Sequence, residues 1–413
     1  MTQTIPRVAK QLVLEALADT RVVFVAGARQ VGKSTLARQI AVDEHPARVV
    51  NLDEEVPLQA ARSDPAGFLA AFEGPVVIDE IQRAPGLLLA IKDRVDRDTR
   101  PGRFLLTGSA DVFASHRVHE ALTGRMETIA LWPLSQAEIR ETHAENAIDV
   151  LLAGRAPEVS DAPVGRAAFA AAAVAGGYPE ARLRPAGRRR ERWFANYTRD
   201  TLSRDLRDIT DAFKLGEMPR LMRLLASQSA GELVYRNLAS KLELTGETVK
   251  SYVRLLEAVF LVKTLPAWRP GIGAREVRAP KAYIVDSGLL AHLLGADEVR
   301  IGHDDQVTGR LLESFVAMEL LRLSEWAGTD VRLHHYRQGR DEIDLVMESR
   351  SGEIVAVEVK ASATIRSRDY AAIVKLRDAR GERFRAGVVM YTGAQTVPLG
   401  DRIWAMPVSG LWG

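Results

Sequence analysis

Apolar and polar positions repeat with two different periods along this chain, and the changes of period divide it. Residues 8–18 (VAKQLVLEALA) space their apolar positions as a helix does, whereas Val22–Ala26 is a short unbroken apolar run that stops at Gly27. Such a run reads as a strand buried on both faces. A helix is expected from Lys33. Further short runs at Val49–Leu52, Val76–Ile78 and Phe104–Leu106, with helical stretches between them, predict a parallel sheet with helices on both faces. Residues 131–215 are mainly helical in pattern. They hold an Ala-rich stretch (Ala167–Ala175), a Gly-Gly-Tyr-Pro turn (Gly176–Pro179) and an Arg-rich stretch (Arg182–Arg192). Residues 216–268 form a compact helical pattern ending in a strand-like run. From Lys281 onward strand-like runs return: AYIVDS, VRLHHY, EIDLVME, EIVAVEVKA, AGVVMYT and RIWAMPV.

The first chemistry lies where the first strand meets its helix. Gly27-Ala28-Arg29-Gln30-Val31-Gly32-Lys33-Ser34, followed by Thr35, matches G-x-x-x-x-G-K-[ST] in a strand–loop–helix context. Glycines let backbone N–H groups curl around phosphates, and the helix N-terminus adds partial positive charge. Lys33 is expected to reach the β- and γ-phosphates of ATP, and Ser34 to ligate Mg2+. The run Pro75-Val-Val-Ile-Asp79-Glu80 supplies the second half: Asp79 to hold the metal, Glu80 to polarise the attacking water. The strand ending Thr107-Gly108-Ser109 is expected beside these two. Its hydroxyls would sense the γ-phosphate or the water, or merely satisfy backbone groups at a turn. Arg125, in Leu122-Thr-Gly-Arg125, is a candidate arginine finger, although a lone arginine serves equally as an ion-pair partner.

Together GARQVGKST, VVIDEIQRAP, LLTGSA, LTGR and GGYPE resemble a widespread prokaryotic family of AAA-type P-loop ATPases fused to a C-terminal domain of unknown function. The resemblance runs from Arg21 to Leu411, the terminal Pro407–Trp412 stretch included. It implies ATP hydrolysis, often proposed to act on nucleic acid. Four regions follow: a P-loop core at 1–135, a helical lid at 136–215, a winged helix at 216–275 and an α/β domain at 276–413. The fold class expected is therefore α/β multidomain.

The winged-helix reading rests on Tyr235–Glu257. Leu238, Leu242 and Leu244 point inward, Thr245 caps a second helix, and Val249, Val253 and Leu256 follow at helical spacing. Phe260–Trp268 then resembles a wing. Thr248, Lys250, Ser251, Tyr252 and Arg254 are expected on the exposed face, suited to phosphates and base edges in a major groove. Glu243, Glu247 and Glu257 dilute that face, and such modules also serve as packing elements. Arg188, Arg189, Arg190 and Arg192, with Trp193 and Tyr197, form a second candidate basic surface or a solvated helix face.

Glu342-Ile-Asp344-Leu-Val-Met-Glu348 and Glu353-Ile-Val-Ala-Val-Glu358-Val-Lys360 flank a short turn as a β-hairpin does. A turn centred on Ser351 sets Asp344 opposite Glu358, with Lys360 on the same face. Two carboxylates and an ammonium so placed suit metal-assisted phosphodiester cleavage, with Asp344 and Glu358 on Mg2+ or Mn2+ and Lys360 on the water. A cross-strand salt bridge is the simpler account. Val346 and Ala356 share the face, however, and imply burial. The arrangement resembles the PD-(D/E)XK, or restriction-endonuclease-like, nucleases. That resemblance implies an assisting acid on an early helix, matched by Glu313, with Gln338 and Arg340 placed for phosphate contact.

Composition narrows the partners. The chain has 413 residues, ample for several domains, and no cysteine, which removes disulfides and thiolate metal sites. No apolar run is long enough to span a bilayer and the first residues lack a signal-peptide pattern, so a cytoplasmic location without membrane contact is expected. A net charge of +2 does not announce a nucleic-acid binder, so local clusters carry that case. The leading expectation is an ATPase that binds and processes duplex or branched DNA. The alternative is a nucleotide-driven switch that binds DNA or protein without cutting. A finger role for Arg125 in trans would imply a homo-oligomer.

Overall fold

In a computed structural model, residues 5–109, 122–142, 144–159, 165–206, 215–270 and 278–412 are described. Short β-branched runs form the first sheet. Its strands are β1 (Val22–Ala26), β2 (Arg48–Asn51), β3 (Val76–Asp79), β4 (Phe104–Gly108) and β5 (Met126–Ala130). All pair in parallel in the order β2-β3-β4-β1-β5. Alternate residues feed opposite faces. Val23, Val25, Val77 and Leu105 join one core with the helices Ala9–Asp19 and Lys33–Asp43. Phe24, Ile78, Phe104 and Leu106 join the other with the helix Leu87–Arg97. Burial on both faces is why β1, β3 and β4 read as apolar runs.

The middle of the chain is helical. Tyr235–Leu242 and Gly246–Ala258 form the expected helix–turn–helix, and Thr245 Oγ1 accepts from Thr248 N at 3.1 Å as the cap. They accompany Met218–Ser227 and a small sheet of β6 (Gly231–Glu232), β7 (Val262–Leu265) and β8 (Lys281–Ile284), with β8 central. Three details differ from the sequence reading. Tyr252 is buried, not exposed, because it lies three residues after Val249 and four before Leu256 on the apolar stripe. The run beyond β7 is no free wing: Trp268 is buried and its backbone N–H donates to His335 O at 2.6 Å. The third strand, β8, lies beyond the boundary set at 275/276.

The last sheet has the order β13-β14-β12-β11-β10-β9. Its strands are β9 (Val331–Gln338), β10 (Asp341–Ser349), β11 (Ile354–Lys360), β12 (Phe384–Tyr391), β13 (Val397–Gly400) and β14 (Ile403–Pro407). β9, β10 and β11 run antiparallel; the helix Ala371–Arg380 then crosses over to β12, which is parallel to β11. The β10–β11 register sets Leu345 opposite Val357 and Val346 opposite Ala356, the register expected from a turn centred on Ser351. The long helix Asp305–Ser324 joins the regions. Its Glu319 accepts from Gln136 N at 2.9 Å, and Arg322 donates to Val285 O at 3.0 Å.

Candidate active site

The loop after β1 is shaped by close approaches. A Cβ at Gly27 would stand 2.3 Å from Leu131 O, and Gly32 has φ +103°, so both positions require glycine. Lys33 opens the helix and is buried; its Nζ donates to Gly27 O at 2.9 Å and Ala28 O at 2.8 Å. The ammonium is thus already inside the loop of Gly27, Ala28, Arg29, Gln30, Val31 and Gly32, held by the first two carbonyls.

The three expected partners converge because β4 lies between β1 and β3. Ser34 Oγ donates to Asp79 Oδ1 at 2.9 Å, and the buried Thr107 hydroxyl donates to the same oxygen. Thr107 Oγ1 in turn accepts from Glu80 N at 3.2 Å. Glu80 itself has φ +61°, a left-handed conformation rare outside glycine and typical of positions held for function. Gln82 Nε2 donates to the Glu80 carboxylate and to Ser109 Oγ, the latter at 2.9 Å. Thr107, Ser109 and Gln82 therefore fix the acid pair. Gln82 is a positioning residue that the sequence reading did not single out.

Arg7 was also missed. Its guanidinium donates to Val31 O and Trp132 O, both at 2.6 Å, and to Glu138 Oε1 at 3.0 Å. Ser135-Gln-Ala-Glu138 is a capping box, and that S-x-x-E spacing was legible. Arg7 borders a cleft of about 480 Å³ beside Gly32 and Thr35, closed by Leu134, Pro179 and Arg182. A nucleoside fits that size. The GGYPE turn thus contributes a wall of the cleft, and Gly177 N donates to the buried Asp286 carboxylate at 2.6 Å.

Arg125 does not face this loop. It precedes β5 at the end where Val22 pairs Met126, roughly 16 Å of strand from Ala26, and its guanidinium pairs with Asp96.

A model of the family described as "AAA domain" matches residues 19–140. Two described as domains of unknown function (DUF8612 and DUF4143) match 166–300 and 308–411. "Uncharacterized protein Mb2031c" of Mycobacterium bovis and "Uncharacterized protein Rv2008c" of Mycobacterium tuberculosis are each 30% identical over 396 residues, 95% of this chain and 81% of each relative. The chain belongs to this family of AAA-type P-loop ATPases. Among solved structures, the Walker-type ATPase PABY2304 of Pyrococcus abyssi is 15% identical with a TM-score of 0.44, over 70% of this chain and 96% of that one. The Thermotoga maritima RuvB Holliday junction branch migration motor is 18% identical with a TM-score of 0.30, over 63% and 89%. As an AAA-type ATPase the chain binds nucleotide and hydrolyses ATP.

The ATPase carries a second cluster at the end of β10 and β11. Asp344 sits at an irregularity in the β9–β10 register between Ile343 and Val346, the kind of bulge that re-aims a side chain. Its Oδ2 accepts from Val359 N at 2.9 Å, and its own N–H reaches Glu358 Oε2 at 3.3 Å. Lys360 Nζ donates to Glu358 Oε1 at 2.6 Å. Glu313 stands beside them on the long helix. The ammonium between them was not foreseen. Buried Lys281 of β8 lies 2.8 Å from Glu313 Oε1 and 3.4 Å from both Asp344 Oδ1 and Glu342 Oε1. Three largely buried carboxyls thus face two ammonium groups. Burial, reinforced by the Asp344 charge, pushes Glu313 and Glu358 up to about 8. Burial disfavours the charge on Lys281, but Glu313 and Asp344 outweigh it and hold that ammonium protonated. Gln338 and Arg340 lie exposed at the β9–β10 turn.

Proposed function

We propose that this ATPase couples Mg2+-ATP binding and hydrolysis to engagement of DNA by its winged helix and C-terminal module. Ser34 Oγ and Asp79 Oδ1 are hard oxygen donors 2.9 Å apart, a set that suits Mg2+. Bound there, Mg2+ would neutralise charge on the β- and γ-phosphates. Lys33 would leave the carbonyls of Gly27 and Ala28 for the phosphate oxygens. Glu80, steered by Thr107 and Gln82, would orient the water. Arg125 of a second copy would complete the site in an oligomer.

One observation carries the coupling. The helix that supplies Glu313 to the C-terminal cluster also binds the segment leaving β5. Gln136 N donates to Glu319, Trp132 Nε1 to Glu325 Oε1 at 2.9 Å, and Asn146 Nδ2 to Leu323 O at 2.9 Å. Trp132 lies two residues beyond β5 and its carbonyl takes the Arg7 guanidinium that also holds the loop carbonyl of Val31. A shift at the phosphate loop therefore has a bonded route to the C-terminal domain. Arg254, exposed on the second helix of the winged module, and the Arg188–Arg192 surface supply positive charge for the backbone of DNA.

The register of Asp344, Glu358 and Lys360 favours a second reading, in which the C-terminal module, of restriction-endonuclease-like arrangement, cuts DNA. A single experiment separates the readings. Labelled duplex, single-stranded and branched DNA are incubated with the full chain, with Mg2+ or Mn2+, and without nucleotide, with ADP or with ATP. Binding that changes with nucleotide and is lost in Lys33→Ala, with the DNA intact, supports the switch. Cutting abolished by Glu358→Ala would establish the nuclease instead. DNA retention indifferent to nucleotide would sink the coupling.

A further inference from the structure

We infer that the ammonium of Lys281 is the resident cation of the Glu313–Asp344–Glu358 cluster, occupying the place that a divalent metal would take. This inference uses the restriction-endonuclease-like reading only for its expectation of a metal, and concerns the occupant of the cluster rather than DNA.

The donor set does not fit a metal as it stands. A divalent ion needs several carboxylate oxygens turned toward one point and not already committed. Asp344 gives Oδ2 to the Val359 amide at 2.9 Å and faces Lys281 with Oδ1 at 3.4 Å. Glu358 gives Oε1 to Lys360 at 2.6 Å and Oε2 to the Asp344 amide at 3.3 Å. Glu313 Oε1 takes Lys281 at 2.8 Å and the Tyr283 hydroxyl at 3.4 Å. Among the described residues, no group of three or more His, Asp or Glu is disposed to hold a metal ion. A divalent ion entering beside Lys281 would meet a like charge within a few ångströms in a largely buried place, where repulsion is weakly screened.

Lys281 has no easy exit. It opens β8, the central strand of its sheet, where it pairs with Glu232 on one side and Leu265 on the other. Its side chain is 2% exposed, so withdrawal would leave Glu313 and Asp344 without their nearest counter-charge. The same ammonium ties the winged module, through β8, to the long helix and to β10. The cluster thus acts as a charged joint between modules, and no metal-bound water is generated there.

The test is a Mn2+ titration of the nucleotide-free full chain, followed by calorimetry and by the electron paramagnetic signal of free Mn2+. Wild type and Asp344→Asn are expected to titrate alike. Lys281→Met, which keeps the stem and removes the charge, is expected to gain one ion per chain, lost again in Lys281→Met with Asp344→Asn. A wild-type ion that Asp344→Asn removes would overturn the inference. So would a folded Lys281→Met that gains none. If Lys281→Met does not fold, wild type against Asp344→Asn decides alone.

Discussion

Replacing Thr107 by valine isolates the contribution of β4 to turnover. The side chain is fully buried and valine has nearly its shape, so no cavity forms. What is lost is the hydroxyl, which donates to Asp79 Oδ1 and accepts from Glu80 N at 3.2 Å. Hydrogen bonds to charged groups contribute about 1.5–3 kcal/mol, and a buried donor left unpaired costs about 1–3 kcal/mol. Glu80, in a left-handed conformation at φ +61°, loses the acceptor that holds its amide. If about 1.5–3 kcal/mol of this is felt at the transition state, kcat falls roughly ten- to hundred-fold. KM for ATP should change little, because Thr107 does not line the cleft beside Gly32 and Thr35. The assay is steady-state phosphate release from Mg2+-ATP, beside Thr107→Ser, which keeps the hydroxyl and should retain most of the rate. A valine variant within about twofold of wild type, or a serine variant as slow as valine, would refute this reasoning.

Arg7→Ala should weaken nucleotide binding more than it lowers kcat, since it removes a wall of the cleft and the brace on Val31 O; fluorescent-ADP titration reads this. Arg322→Met strands Glu319, a fully buried carboxylate, and should cost about 3–5 kcal/mol in urea unfolding, far more than a surface charge change. In the C-terminal cluster the folded chain holds a proton that the unfolded chain releases above the ordinary carboxyl range. The stability this adds is complete below about pH 4.5 and lost as pH rises through about 8. Urea midpoints should therefore fall across that window, and Glu358→Gln should flatten the fall.

The first sheet and its candidate site were legible because β1, β3 and β4 are short, buried on both faces and run into the candidate functional residues. Val22–Ala26 runs into the phosphate loop, Val76–Asp79 into Glu80, and Phe104–Gly108 into Ser109. Only β5 was not named, since Met126–Ala130 carries two exposed positions that blur its pattern. The C-terminal hairpin register was legible from period-two alternation about Ser351. What escaped was contact between distant segments. Lys281 lies 32 residues from Glu313 and 63 from Asp344, so no local spacing joins them. Arg7 reaches Trp132 over 125 residues, and only the Ser135–Glu138 box hinted at a partner there. Tyr252 was misplaced because its polar hydroxyl drew it to the exposed face, while its position on the helix put it inside. Arg125 reads as a finger from its local motif; strand direction places it at the end of the strands opposite the phosphate loop, where it pairs with Asp96.

Turnover of Mg2+-ATP by wild type and by Glu80→Gln, measured together with nucleotide binding, tests the central claim most directly. The arrangement predicts that wild type releases phosphate and that Glu80→Gln binds ATP with near wild-type affinity but hydrolyses it at least about a hundredfold more slowly. Undiminished hydrolysis in Glu80→Gln would contradict the assignment of the catalytic centre to the β1, β3 and β4 strand ends.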